Sequence, residues 1–115
     1  MAQILIADDD AATCELLRRA LEAEGHTVKT ASDGSEALEQ IAGSTLLISD
    51  VQMPGMDGIE LARQALAKAP GLRIILMSGF TEQLDRASNL PGNVRTLVKP
   101  FTLEKARAEV KAALG

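Results

Sequence analysis

The chain holds one cysteine, Cys14, so no internal disulfide can form, which suits a reducing compartment. It has no apolar run long enough to cross a bilayer, and its N-terminus lacks a basic-then-apolar signal pattern. Neither membrane insertion nor secretion is expected, and a cytoplasmic address follows. There is no basic cluster, and the formal charge is −4, so direct nucleic-acid binding is not expected either. Tryptophan and tyrosine are missing, which leaves any aromatic role to Phe80 or Phe101. There are no repeats, low-complexity tracts or linkers. The 115 residues, 46% of them hydrophobic, therefore read as one domain, 1–115, with enough apolar material for a core.

Short apolar runs alternate with longer helical patterns. "QILIA" (Gln3 to Ala7), "TLLIS" (Thr45 to Ser49) and "LRIILMS" (Leu72 to Ser78) read as buried strands. "TVKTA" (Thr27 to Ala31) alternates like a half-exposed edge strand, and "NVRTLV" (Asn93 to Val98) supplies a fifth. Between them, Ala12 to Glu24 places Leu16, Leu17, Ala20 and Leu21 on one helical face, stopped by Gly25. A second helix is expected over Ser35 to Ile41. Asp57 with Glu60 three residues on opens a third, ended by Pro70 and Gly71. Thr81 is positioned to cap a short fourth helix to about Ala87, and Thr102 a fifth, with Leu103, Ala106, Val110 and Leu114 on its apolar face. Such alternation implies a doubly wound α/β fold, a five-stranded parallel sheet in the order 2-1-3-4-5 covered by helices on both faces. Ligands bind such sheets beyond the carboxyl ends of the strands, where the winding reverses between the first and third.

The ionisable residues concentrate there. The first strand runs into Asp8, Asp9 and Asp10, the third into Asp50, the fourth ends in Ser78, and the fifth is followed by Lys99. Asp10 precedes a helix and reads as its cap. The remaining carboxylates would repel one another unless a cation neutralised them. Hard oxygen ligands of this kind suit Mg²⁺ better than zinc or copper. A metal beside a carboxylate, a hydroxyl and a lysine makes a phosphoryl-transfer centre, in which the carboxylate attacks phosphorus and the cations balance the charge. The single His26, after a glycine, reads as a solvated loop residue, and Met53 and Met56 as loop packing.

The segments "ILIADDD", "LLISDVQMPGMDG", "ILMSG" and "LVKPF", each at the end of its strand and in this order, resemble a response-regulator receiver domain over essentially the whole chain. The resemblance implies a flavodoxin-like (CheY-like) fold with Asp50 as the phosphoacceptor. It makes Asp9 the direct Mg²⁺ ligand, Asp8 a second pocket acid acting partly through water, and the Gln52 backbone carbonyl a further ligand. Ser78 would hydrogen-bond the phosphoryl group and Lys99 would pair with it, with a cis bond between Lys99 and Pro100. The phosphodonor would be a histidine kinase or a histidine phosphotransfer protein, since no histidine in the chain is placed to donate. The protein would catalyse its own phosphorylation and dephosphorylation without turning over an external substrate.

Many receivers carry a mobile aromatic residue three positions before the lysine. Thr96 occupies that slot here, and Phe80, just beyond Ser78, is the alternative switch candidate. The pieces "MDGIELARQA", "SGF" and "KPFTL" resemble the CpdR type of single-domain regulator, a phosphorylation-controlled adaptor for a protease. A stand-alone regulator, monomeric or weakly dimeric, with a downstream protein target is expected. Two alternatives are a binding module whose partner contact ignores phosphate and the receiver portion of a hybrid histidine kinase. A phosphatase with an aspartate nucleophile would need an acid two residues beyond Asp50, where Gln52 stands.

Overall fold

Gln3–Ala7 (β1), Thr27–Ala31 (β2), Leu46–Asp50 (β3), Arg73–Ser78 (β4) and Val94–Val98 (β5) form one parallel sheet in the order β2-β1-β3-β4-β5. The computed structural model describes residues 1–115. The helices are α1 (Ala11–Glu22), α2 (Gly34–Glu39), α3 (Gly58–Lys68) and α4 (Thr81–Asp85), which connect successive strands, and α5 (Leu103–Leu114), which follows the last, with a 3₁₀ turn at Arg86–Asn89 after α4. Fold, strand order and the edge position of β2 are as the sequence implies.

Strand periodicity divides the core in two. Ile4, Ile6, Leu46, Ile48, Ile75, Met77 and Leu97 pack with Leu17, Leu21, Ala106 and Val110 of α1 and α5. Their neighbours Leu5, Ala7, Leu47, Ile74 and Leu76 pack with α2, α3 and Leu84 of α4 on the other face. Because side chains alternate along a strand, the residue at or just past each strand's end inherits one face or the other. Asp8, Asp50 and Lys99 continue the α1/α5 set; Ser78 continues the set that faces α3 and α4.

Four helices carry side-chain caps, three of them as expected from the sequence and Asp33 in addition. The side chains of Asp10, Asp33, Asp57 and Thr102 accept the backbone N–H of Ala12, Glu36, Glu60 and Lys105. Three expectations need correction. Thr81 is the first residue of α4 rather than its cap; the capping position is Phe80, which makes no side-chain cap bond. Leu16 is 53% exposed, because the buried face of α1 runs through Cys14, Leu17, Ala20 and Leu21 and Leu16 lies off that stripe. His26 is half-buried rather than solvated, its Nδ1 accepting the Ala2 N–H at 3.0 Å.

Candidate functional site

Ladder hydrogen bonds continue past the strand ends and anchor the site's backbone. The Asp8 N–H donates to the Ala31 carbonyl, Val51 to Met77 and Lys99 to Ser78, at 3.1, 2.9 and 2.8 Å. Beyond Asp50 the chain must turn away sharply. The loop does so through Pro54 and through Gly55 at φ 74°, and the Gly58 N–H returns to the Val51 carbonyl at 2.8 Å. A Cβ at Gly58 would be driven into the Asp50 carbonyl and to 2.8 Å from the Val51 Cα, so only glycine fits. Met53 lies in the core and Met56 packs against it, as expected of loop packing.

These constraints bring the predicted residues together. Carboxylate oxygens of Asp8, Asp9 and Asp50 lie within 4.8 Å of one another, with Asp9 exposed and the other two buried. The Lys99 Nζ lies 2.9 Å from Asp8 Oδ2 and 3.4 Å from Asp50 Oδ1. The other oxygen of Asp8 accepts the Asp10 N–H at 3.0 Å, so both are engaged. Burial, then the charge of Asp8, raises the Asp50 pKa, and Lys99 only partly offsets them. Burial pulls the lysine down, yet its bond to Asp8 and the charges of Asp8 and Asp50 leave it raised overall, firmly an ammonium. Asp10 stands apart as a cap: the Thr13 hydroxyl and the Ala12 N–H lower its pKa. The single ammonium leaves the three clustered acids with excess negative charge, a donor set of hard oxygens that fits a divalent cation such as Mg²⁺.

The remaining candidates lie around this cluster. Ser78 is buried, and its hydroxyl faces α4. Gln52 is exposed in the loop after Asp50, and Thr96 is exposed on β5. Phe80 is 54% exposed. The Lys99–Pro100 bond is cis. Cys14 packs beneath the site, its thiol reaching the Asp8 carbonyl at 3.4 Å, and burial pushes its pKa to about 11.

The model of the response regulator receiver domain matches residues 4–111. The chain belongs to this family. Receivers interact with histidine kinases or phosphotransfer proteins in two-component signalling and bind Mg²⁺ at an acidic pocket; in this chain Asp8, Asp9 and Asp50 form an acidic cluster. The response regulator MprA of Mycobacterium ulcerans is 40% identical over 97% of this receiver, which spans 50% of that relative's length. A CheY-like receiver domain protein from Methanospirillum hungatei superposes with a TM-score of 0.90 at 29% identity, covering 99% of this chain and 94% of that one. The regulator TrrA of Thermotoga maritima, solved in complex with Mg²⁺-BeF, superposes at 0.85 with 30% identity, covering 98% and 99%. No helix of this receiver is long and apolar enough to cross a membrane.

Two contacts in this region have no sequence signature. The Ser78 hydroxyl donates to Gln83 Oε1 on α4 at 2.6 Å, and Arg86 pairs at 3.2 Å with Asp57, the α3 cap. Both depend on where α4 lies on the sheet. Spacing along the chain does not show that.

Proposed function

We propose that Asp50 accepts a phosphoryl group from the phosphohistidine of a histidine kinase or histidine phosphotransfer protein, and that the aspartyl phosphate switches a protein-binding surface. The observation that carries this reading is a buried carboxylate held at a strand end between two acids and an ammonium. A carboxylate oxygen of Asp50 attacks phosphorus, the phosphorus–nitrogen bond breaks, and the leaving imidazole keeps its electron pair. Lys99, already placed between Asp8 and Asp50, compensates the negative charge on the transferring group. Ser78 supplies a hydrogen-bond donor from the neighbouring strand. Asp8, Asp9, Asp50 and the Gln52 carbonyl would hold Mg²⁺, which when bound neutralises phosphoryl oxygens. Burial first, and the charge of Asp8 next, raise the Asp50 pKa and make its carboxylate a stronger base than a free one.

Downstream, α4, β5 and α5 form the surface that responds, with Phe80 and Thr96 as candidate reporters. The adaptor reading, in which that surface delivers a protease partner, rests on the likeness of sequence pieces to CpdR-type regulators. Intact mass after incubation with Mg²⁺ and acetyl phosphate tests the core of the proposal. One phosphoryl group should add to the wild type and none to Asp50→Asn or to wild type with EDTA. An adduct that survives in Asp50→Asn would move the acceptor elsewhere.

A further inference from the structure

Ser78 is already occupied. Its Oγ accepts the Phe80 N–H at 3.0 Å and donates its proton to Gln83 Oε1 at 2.6 Å. A serine hydroxyl has one proton to donate. It cannot serve Gln83 and a phosphoryl oxygen together, so the two bonds exclude each other. Gln83 sits in the first turn of α4, a five-residue helix with no side-chain cap and one buried residue, Leu84. Its partner Ser78 is buried at the end of β4. This bond is therefore a direct link between the hydroxyl at the phosphoryl site and the helix beside it. A second clasp, Arg86 to Asp57, ties the end of α4 to the cap of α3, and it is exposed and weaker.

We propose that Gln83 is a latch. In the resting chain it draws the Ser78 hydroxyl toward α4; when a phosphoryl group forms on Asp50, Ser78 transfers its hydrogen bond to a phosphoryl oxygen and frees the first turn of α4. The latch rests on the phosphoryl-acceptor reading of Asp50. Gln83 is a positioning residue that acts only through Ser78, and it gives this receiver a coupling route in which no aromatic ring takes part. With Thr96 at the usual aromatic slot, such a route needs no residue on β5.

The experiment is a double-mutant cycle on beryllofluoride binding with Mg²⁺, followed by titration calorimetry, for wild type, Gln83→Met, Ser78→Ala and the double variant. Methionine keeps the length of glutamine but accepts hydrogen bonds weakly. Gln83→Met should bind about threefold tighter than wild type, on the order of the net worth of one hydrogen bond. In the Ser78→Ala background the same change should have no effect. Amides 81–85 of unliganded Gln83→Met should also exchange with deuterium faster than in wild type, approaching the liganded wild-type rates. Unchanged affinity in Gln83→Met, or an equal gain with and without Ser78, overturns the latch while leaving the acceptor reading intact. No binding by wild type, or full binding by Asp50→Asn, sinks the acceptor reading and the latch with it.

Discussion

β3 is buried at all five of its positions, whereas β5 is fully buried only at Leu97 and leaves Val98 48% exposed. The helices that follow β3 and β4 differ in the same way. α3 buries six residues of its eleven, while α4 buries Leu84 alone and passes into a 3₁₀ turn. The acids thus stand on a floor that cannot shift without opening the core. Gln83, on the α4 side of the Ser78 bond, and the outer surface belong to a part that can shift at little cost in buried area. A receiver needs both: a site whose charges are fixed before the reaction, and a neighbour loose enough to register it.

The largest expected effect tests the rigid side. Gly58→Ala forces a Cβ into the Asp50 carbonyl and should cost about 3 kcal/mol or more in urea unfolding. A loss under about 1 kcal/mol would mean that the loop yields, and the contrast between the halves would fail. Next, Leu47→Ala under β3 should cost ~3–5 kcal/mol against about 2 for Leu84→Ala. Equal losses would show that α4 is as firmly set as the centre of the sheet.

A third, smaller effect concerns charge. The Asp50 carboxyl has a raised pKa in the folded chain, so its neutral form favours folding. That contribution is complete below the unfolded carboxylate value near 3.8 and is lost as pH rises through the higher folded value. Without Mg²⁺, Asp50→Asn should therefore stabilise the chain at pH 7, on the order of 1 kcal/mol, and its advantage should shrink toward pH 3. Thermal melts across that range test the sign. Mg²⁺ at ten times its dissociation constant should raise wild-type stability by about 1.4 kcal/mol, and Asp50→Asn by less. Smallest of all, Thr96→Ala should change stability by under about 0.5 kcal/mol and leave beryllofluoride affinity as it is. A marked loss of affinity would return β5 to the coupling route and weaken the case for Gln83.

How far the sequence could be read follows the same divide. Where burial is complete, the pattern is unambiguous: "LLISD" can only be an inner strand, and Asp57 with Glu60 only a helix start. Even there the reading missed a detail, since the Glu60 carboxylate turns to Arg63 and Gln64 instead of closing back on the cap. In the outer part local signals compete. Thr81 has the chemistry of a cap, but the strand runs straight into α4 and puts Phe80 in that position. The partners of Ser78 and His26 were illegible for another reason. Both bonds are set by how neighbouring elements dock, and no spacing rule relates residue 26 to residue 2 across a sheet edge.

The Asp8–Lys99 ion pair joins residues 91 apart in sequence, across strands that are not neighbours in the sheet. During synthesis, a chain that had emerged only through β4 would already own every carboxylate of the site and the Ser78 hydroxyl. It would lack the ammonium. The counter-charge of the cluster is therefore supplied last, with the fifth strand, and a chain stopped short of it would hold its carboxylates together without their ammonium.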